Sequence, residues 1–168
     1  MNTVAIAARH LRQRRGCGRV VVLAWGAHPP AGLAECLADD PDCVVVSVHP
    51  ASHAVPADPV PGIAASIALA PGSGAAALET ATRTVLDPAG PADFLLVSAG
   101  FEILTGDQAD GLQVGPDDVH ALTLTLIAEA GRLARGRIVS VLEGGYAAAP
   151  LGRAVVQHLR ALAGLQPA

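Results

Sequence analysis

Four stretches of the chain are unbroken runs rich in aliphatic and β-branched residues: Arg19–Trp25, Cys43–His49, Phe94–Ala99 and Ile138–Glu143. None alternates apolar with polar positions. A run apolar on both faces is the pattern of a strand in a parallel sheet covered on both sides. Ser66–Ala70 is a shorter, less apolar candidate of the same kind. Between these runs the apolar spacing is helical. Residues 3–15 carry Val4, Ala7, Ala8 and Leu11 on one face and end in Arg12, Arg14 and Arg15, where cations suit the helix dipole before Gly16 and Gly18 stop it. Gly32–Ala38 predicts a short helix and Ala75–Leu86 a longer one. Pro116–Leu133 opens with proline and two aspartates, a favourable helix start. Pro150–Leu162 places Leu151, Val155, His158, Leu159 and Leu162 on one face. Strand and helix alternate throughout, so the expected class is α/β with a mainly parallel sheet and flanking helices, in one domain over residues 1–168. There is no internal repeat and no linker. Pro50–Gly62 holds four prolines and reads as an irregular surface excursion.

In open parallel sheets, ligands gather beyond the carboxyl ends of the strands. Those ends here are Trp25-Gly26-Ala27-His28, Ser47-Val48-His49, Gly100-Phe101-Glu102 and Gly144-Gly145-Tyr146. Two histidines, a carboxylate and a tyrosine thus follow four separate strands. Spacing alone makes a shared site plausible without specifying its chemistry.

Composition narrows the picture modestly. The chain has 168 residues, long enough for one domain with a real core. It is 51% hydrophobic but only 2% aromatic, so alanine supplies much of the apolar count and the helices must lie close on aliphatic strands. A net charge of −4 gives no electrostatic case for nucleic acid or an acidic membrane. All 11 basic residues are Arg. Cys17, Cys36 and Cys43 form no CxxC pair and read as reduced, inert small residues. No signal core or bilayer-length apolar run is present, so the cytoplasm is the expected compartment.

Taken in order, several segments resemble the histone deacetylase family, which includes bacterial deacetylases and acetylpolyamine amidohydrolases. Asn2–His10 (NTVAIAARH) is similar to the family's helix beginning N-x-V-A-x-A-A, and Val20–His28 (VVVLAWGAH) to its strand ending D-W-D-V-H-H-G. Asp39–His49 (DDPDCVVVSVH) matches D-D-P-x-V-x-x-x-S-x-H. Pro71–Gly74 (PGSG), Val97–Glu102 (VSAGFE, against V-S-A-G-F-D), Gly111–Asp118 (GLQVGPDD) and Ser140–Tyr146 (SVLEGGY) complete the series. The order and rough spacing hold along almost the whole chain. The resemblance implies a partial arginase/deacetylase-type sheet with helices on both faces.

It also implies a zinc site, carried over residue by residue. The family binds zinc through the second Asp and first His of D-W-D-V-H and through the Asp of S-A-G-F-D. These positions are Gly26, His28 and Glu102 here. The implied metal ligands are therefore His28 and Glu102, two where a catalytic zinc takes three, so zinc is expected to bind weakly. The family's other Asp of that strand, which helps hold potassium, is Ala24, while Ser47 remains at a position similar to another part of that ion site. Pro29, Pro30, Ala31 and Gly32 replace H-G-N-G, and two prolines must change that loop's backbone. Tyr146 is the implied catalytic residue, donating to the substrate carbonyl and its oxyanion. The family's adjacent His-His pair lies N-terminal to the N-x-V-A-x-A-A helix, where this chain begins. Without that pair a metal-activated water lacks its proton acceptor.

Plainer readings stand beside these. His28 also reads as a loop-capping histidine, Glu102 as a solvent-reaching carboxylate, and Tyr146 as packed beneath its glycine turn. His49, His53, His120 and His158 read as surface or helix-packing residues. Asp107 and Asp110 are possible substitute ligands or, more simply, solvated loop residues. Trp25 reads as core. Gly72-Ser73-Gly74-Ala75-Ala76-Ala77 has the form of a dinucleotide fingerprint but lacks the following acidic residue. The expectation is a deacetylase-like fragment or pseudoenzyme without independent hydrolase activity. The alternative is a zinc-dependent amidohydrolase acting on acetyl-lysine or acetylpolyamine-type substrates, its site completed by a loop or a partner chain. A sheet lacking early strands exposes an edge, for which a homo-oligomer or partner chain is the expected cover.

Overall fold

A computed structural model describes residues 1–51, 60–107 and 112–168. His53 and Asp110 lie outside the described residues, as does most of the proline-rich excursion. The elements are α1 (Thr3–Arg15), β1 (Val20–Trp25), α2 (Ala31–Leu37), β2 (Cys43–Pro50), β3 (Ile63–Leu69), β4 (Ser73–Gly74), α3 (Ala75–Leu86), β5 (Phe94–Gly100), β6 (Leu112–Gln113), α4 (Val119–Ala134), β7 (Ile138–Glu143) and α5 (Ala148–Leu162). The expected strands and helices are present, with boundaries moved by a few residues. The Ser66–Ala70 candidate is longer than the sequence suggested and begins at Ile63. Pro116–Asp118 forms a single 3-10 turn before α4.

Five strands form one sheet in the order β3-β2-β1-β5-β7, every pair parallel. The two faces of β1 feed two separate cores. Val21, Leu23 and Trp25 pack with Leu95, Val97, Leu78, Leu122 and Leu126 beneath α3 and α4. Val20 and Val22 pack on the other side with Val4, Ala8, Leu33 and Leu37 of α1 and α2. The small alanines of α1 let that helix approach the sheet closely. Trp25 is core, as expected, and its indole N–H donates to Thr82 Oγ1 at 3.0 Å.

Two of the quoted motifs act in the fold. Asn2 caps α1, its Oδ1 accepting from the Ala5 N–H at 2.9 Å. Arg12 reaches from α1 to Asp40 through two hydrogen bonds of 3.0 and 3.1 Å and to Asp42 at 2.8 Å. The D-D-P-D segment therefore fixes α1 against the start of β2. The Arg12 guanidinium holds the Asp40 carboxyl below the usual range. Burial pushes the Cys43 thiol up to about 11, in keeping with an inert residue, whereas Cys36 is exposed.

His158 belongs to a buried chain of hydrogen bonds. Thr123 Oγ1 donates to the Val119 carbonyl at 2.6 Å and lies 2.7 Å from His158 Nδ1, while His158 Nε2 lies 2.9 Å from Ser140 Oγ. With its one proton committed to Val119, Thr123 accepts from Nδ1–H, and Ser140 then donates to Nε2. The imidazole is held neutral between β7 and α4, and Phe101 meets it edge-on at 5.7 Å. Burial lowers the pKa of His158, and burial followed by the nearby His28 lowers that of His49. Each imidazole takes up its proton at lower pH in the folded than in the unfolded chain. The unfolded chain therefore binds more protons from about pH 6.5 downward, and stability declines as pH falls until the folded-state pKa is passed. Thermal unfolding followed from pH 8 to pH 5 should show a falling midpoint, and His158→Gln should make that fall shallower. A slope untouched by the substitution would show that His158 is not a source of the pH dependence.

Candidate functional site

Because the sheet is wholly parallel, the carboxyl ends of β1, β5 and β7 open on one edge, side by side. Their loops bring His28, Glu102 and Tyr146 to that edge, and they bring two of the three strand ends into direct contact with Glu102. Glu102 sits in a 3-10 turn, Phe101–Ile103, directly after β5. Its side chain turns back toward the sheet instead of out to solvent, contrary to the simpler sequence reading. Glu102 Oε1 accepts from the Ala27 N–H at 3.2 Å, and Oε2 is buried without a hydrogen-bond partner.

Three glycines make room for this carboxylate. A Cβ at position 26 would lie 3.3 Å from Glu102 Oε1, one at position 100 would lie 2.7 Å from Oε2, and one at position 144 would overlap the carboxylate outright. Gly144 and Gly145 also have φ of +61° and +92°, so the turn leading to Tyr146 uses backbone conformations that glycine alone adopts freely. A Cβ at 145 would meet Leu151 and the Phe101 side chain below 3.0 Å. The close packing of these strand ends explains the glycines of G-F-E and E-G-G-Y in steric terms.

His28 lies exposed in the turn after β1, just beyond the amide that Glu102 accepts from. It approaches His49, which is buried at the end of β2 and not a surface residue. His49 Nδ1 lies 3.5 Å from the hydroxyls of Ser47 and Ser66. Ala24 pairs in register with both Ser47 and Ser98 and brings no oxygen to the row between them. Tyr146 is 66% exposed, so its ring is not packed beneath the glycine turn.

Asp107 also differs from its simpler reading as a solvated loop residue. It is 5% exposed rather than solvated, and its Oδ2 accepts from the Tyr146 N–H at 2.6 Å and the Ala147 N–H at 2.8 Å. Only a sequence signal for where the β7 turn folds back could have paired it with residues about forty positions away, and one sequence carries none.

The residues present can be tested against zinc by their donors. Glu102 offers a buried, unpartnered carboxylate oxygen, and His28 offers an exposed imidazole. Position 26, which would supply the third donor, has no side chain. Among the described residues no three His, Cys, Asp or Glu side chains gather as a ligand set. Among the described residues, the donors at this edge number fewer than the three protein ligands of a catalytic zinc.

The sheet order and the strand-end carboxylate, imidazole and phenol define a parallel α/β domain with its polar residues gathered at one edge. The histone deacetylase domain model matches residues 1–162, and the chain belongs to that family. It is 30% identical over 172 residues to the chloroplastic histone deacetylase 10 of Oryza sativa subsp. japonica, covering 96% of this chain and 39% of that protein. It is 32% identical over 180 residues to the polyamine deacetylase HDAC10 of Homo sapiens, covering 97% of this chain and 26% of that protein. The chain thus spans well under half the length of these relatives. The structure superposes on the histone deacetylase Clr3 with a TM-score of 0.79 at 24% identity, over all of this chain and 31% of that one. That likeness confirms the mainly parallel sheet with flanking helices.

The contact between positions 26 and 102 makes a measurable coupling. Gly26→Asp should destabilise the fold by about 2 kcal/mol, since it sets a second carboxylate against Glu102. In a Glu102→Ala background the same change should cost at least about 1 kcal/mol less. Urea denaturation of the four proteins gives the cycle; additive costs within about 0.5 kcal/mol would show that the two positions do not share one space.

Proposed function

We propose that this chain is a deacetylase-family domain that recognises an acylated amine at its strand-end surface and does not hydrolyse it with its own residues. The observation that carries this reading is the glycine at position 26. The place where a ligand side chain would stand is bare backbone, and the Glu102 carboxylate lies against it. The remaining donors are the Glu102 carboxylate and the exposed His28 imidazole. The rice and human relatives are named as deacetylases, which supports an acylated amine as the ligand class. Tyr146 supplies the recognition: its exposed phenol donates a hydrogen bond to the acyl carbonyl oxygen. Glu102 adds negative charge beside this surface and favours a ligand that also carries a cationic amine.

Incubating the purified chain with zinc and an acetyl-lysine peptide or an N-acetylated polyamine should release no acetate above background. The peptide should still bind, and Tyr146→Phe should weaken that binding about tenfold, or roughly 1.4 kcal/mol. Robust acetate release abolished by Glu102→Ala would overturn this reading and establish the amidohydrolase alternative.

A second reading rests on the β7 edge. β7 ends the sheet with no strand on its outer side among the described residues, and its Val139 and Leu142 are each about half exposed. Such an edge templates an added strand. In this reading a second chain, beginning with another copy of this one, pairs with β7 and brings side chains to the strand-end surface beside Tyr146. Sedimentation velocity should then show association that Leu142→Lys abolishes. A folded monomer at high micromolar concentration excludes self-pairing as the cover of this edge.

A further inference from the structure

We propose that Asp107 is the positioning residue for Tyr146: its buried carboxylate grips the Tyr146 and Ala147 amides, aiming the phenol and setting where α5 begins. The turn between β7 and α5 needs such a tie. Gly144 and Gly145 are both at positive φ and leave the backbone more freedom than any other residue pair. The Tyr146 ring is largely exposed, so packing does not hold its direction. Ala147, the residue preceding α5, has no side chain able to cap the helix, and none of its neighbours makes a capping hydrogen bond. Asp107 supplies what is missing. One carboxylate oxygen accepts from two successive amides at 2.6 and 2.8 Å, and its negative charge lies at the positive end of the α5 dipole.

The tie also links two parts of the site. Asp107 follows Glu102 by five residues in the same loop after β5. That loop reaches β1 through Glu102 and the Ala27 amide, and reaches the β7–α5 turn through Asp107. The position of the phenol relative to the Glu102 carboxylate is therefore set within one short loop. Asp107 fixes the turn whatever Tyr146 binds. Its bearing on ligand recognition rests on the reading of Tyr146 given above.

The test uses the full chain with Asp107→Asn and Asp107→Ala, read by residue-resolved amide exchange and by binding of an acetyl-lysine peptide. Asp107→Ala should raise the exchange rates of the Tyr146 and Ala147 amides at least tenfold, while β1 and β5 amides keep theirs. Asp107→Asn, which retains an acceptor oxygen, should recover part of that protection. In the Asp107→Ala chain the further change Tyr146→Phe should no longer weaken peptide binding, because the phenol is no longer aimed. Should Asp107→Ala fail to fold, the unmodified chain gives the same answer: the Tyr146 and Ala147 amide protons should shift together with the Asp107 carboxyl carbon as pH is lowered. Unchanged exchange at both amides in the folded variants, or no shared titration in the unmodified chain, overturns the proposal. If instead Tyr146→Phe leaves peptide binding unaltered in the unmodified chain while the exchange effects appear, the positioning role stands and the recognition role of Tyr146 falls.

Discussion

Everything at the strand-end surface follows from β1 being apolar on both faces. A strand of three valines, a leucine, an alanine and a tryptophan, all buried, cannot lie at a solvated face, so it must be flanked by strands and covered above and below. Between β1 and β2, β3 and β5, and β5 and β7 the chain crosses over through α2, α3 and α4, and such crossovers make the joined strands parallel. Parallel strands all end on the same edge, and their loops meet there whatever their sequence separation. Trp25, Gly100 and Glu143 are far apart in the chain, yet the residues following them share one surface. The loop after β5 turns that adjacency into contact, because β5 is the strand between β1 and β7 and its loop can touch both.

The family motifs are legible in the sequence because many of their residues hold the backbone rather than act on a ligand. Asn2 satisfies an amide that an uncapped helix start would leave free, and Asp40 gives the Arg12 guanidinium a planar partner. The glycines of G-F-E and E-G-G-Y are present because a Cβ at any of them meets a carboxylate or a packed side chain. Such requirements are local, or nearly so, and they concern the backbone rather than any ligand. The strands and helices were legible for the same reason: unbroken apolar runs and 3.6-residue spacing report burial directly.

What the sequence hid were side-chain directions and long-range partners. Glu102 reads equally as a surface carboxylate or a ligand, and only the empty space beside Gly26, Gly100 and Gly144 decides that it folds inward. Tyr146 was expected beneath its turn, but the positive φ of the two preceding glycines carries it outward. Asp107 sits in a polar, glycine-containing stretch that looks solvated, and its burial depends on a turn nearly forty residues later. His49 follows a strand end, where exposure is the simple expectation. The parallel register places Ser47 and Ser66 beside it and closes the space.

Ala24 and Gly26 are best understood through the energetics of buried charge. Both positions are buried in the central strand or its end, between β2 and β5. An aspartate at either would be an anion taken out of water, at a cost of several kcal/mol unless a cation or donor compensates it. Alanine and glycine at these positions avoid that cost and leave the sheet intact. The hydrogen-bonded ladder and the two apolar cores depend on backbone and aliphatic side chains and are indifferent to the exchange. Glu102 escapes the same argument only in part, since one of its oxygens accepts from Ala27 and the other does not. That orphaned oxygen is the remaining electrostatic demand at the strand ends, closed in by Gly100 and Gly144.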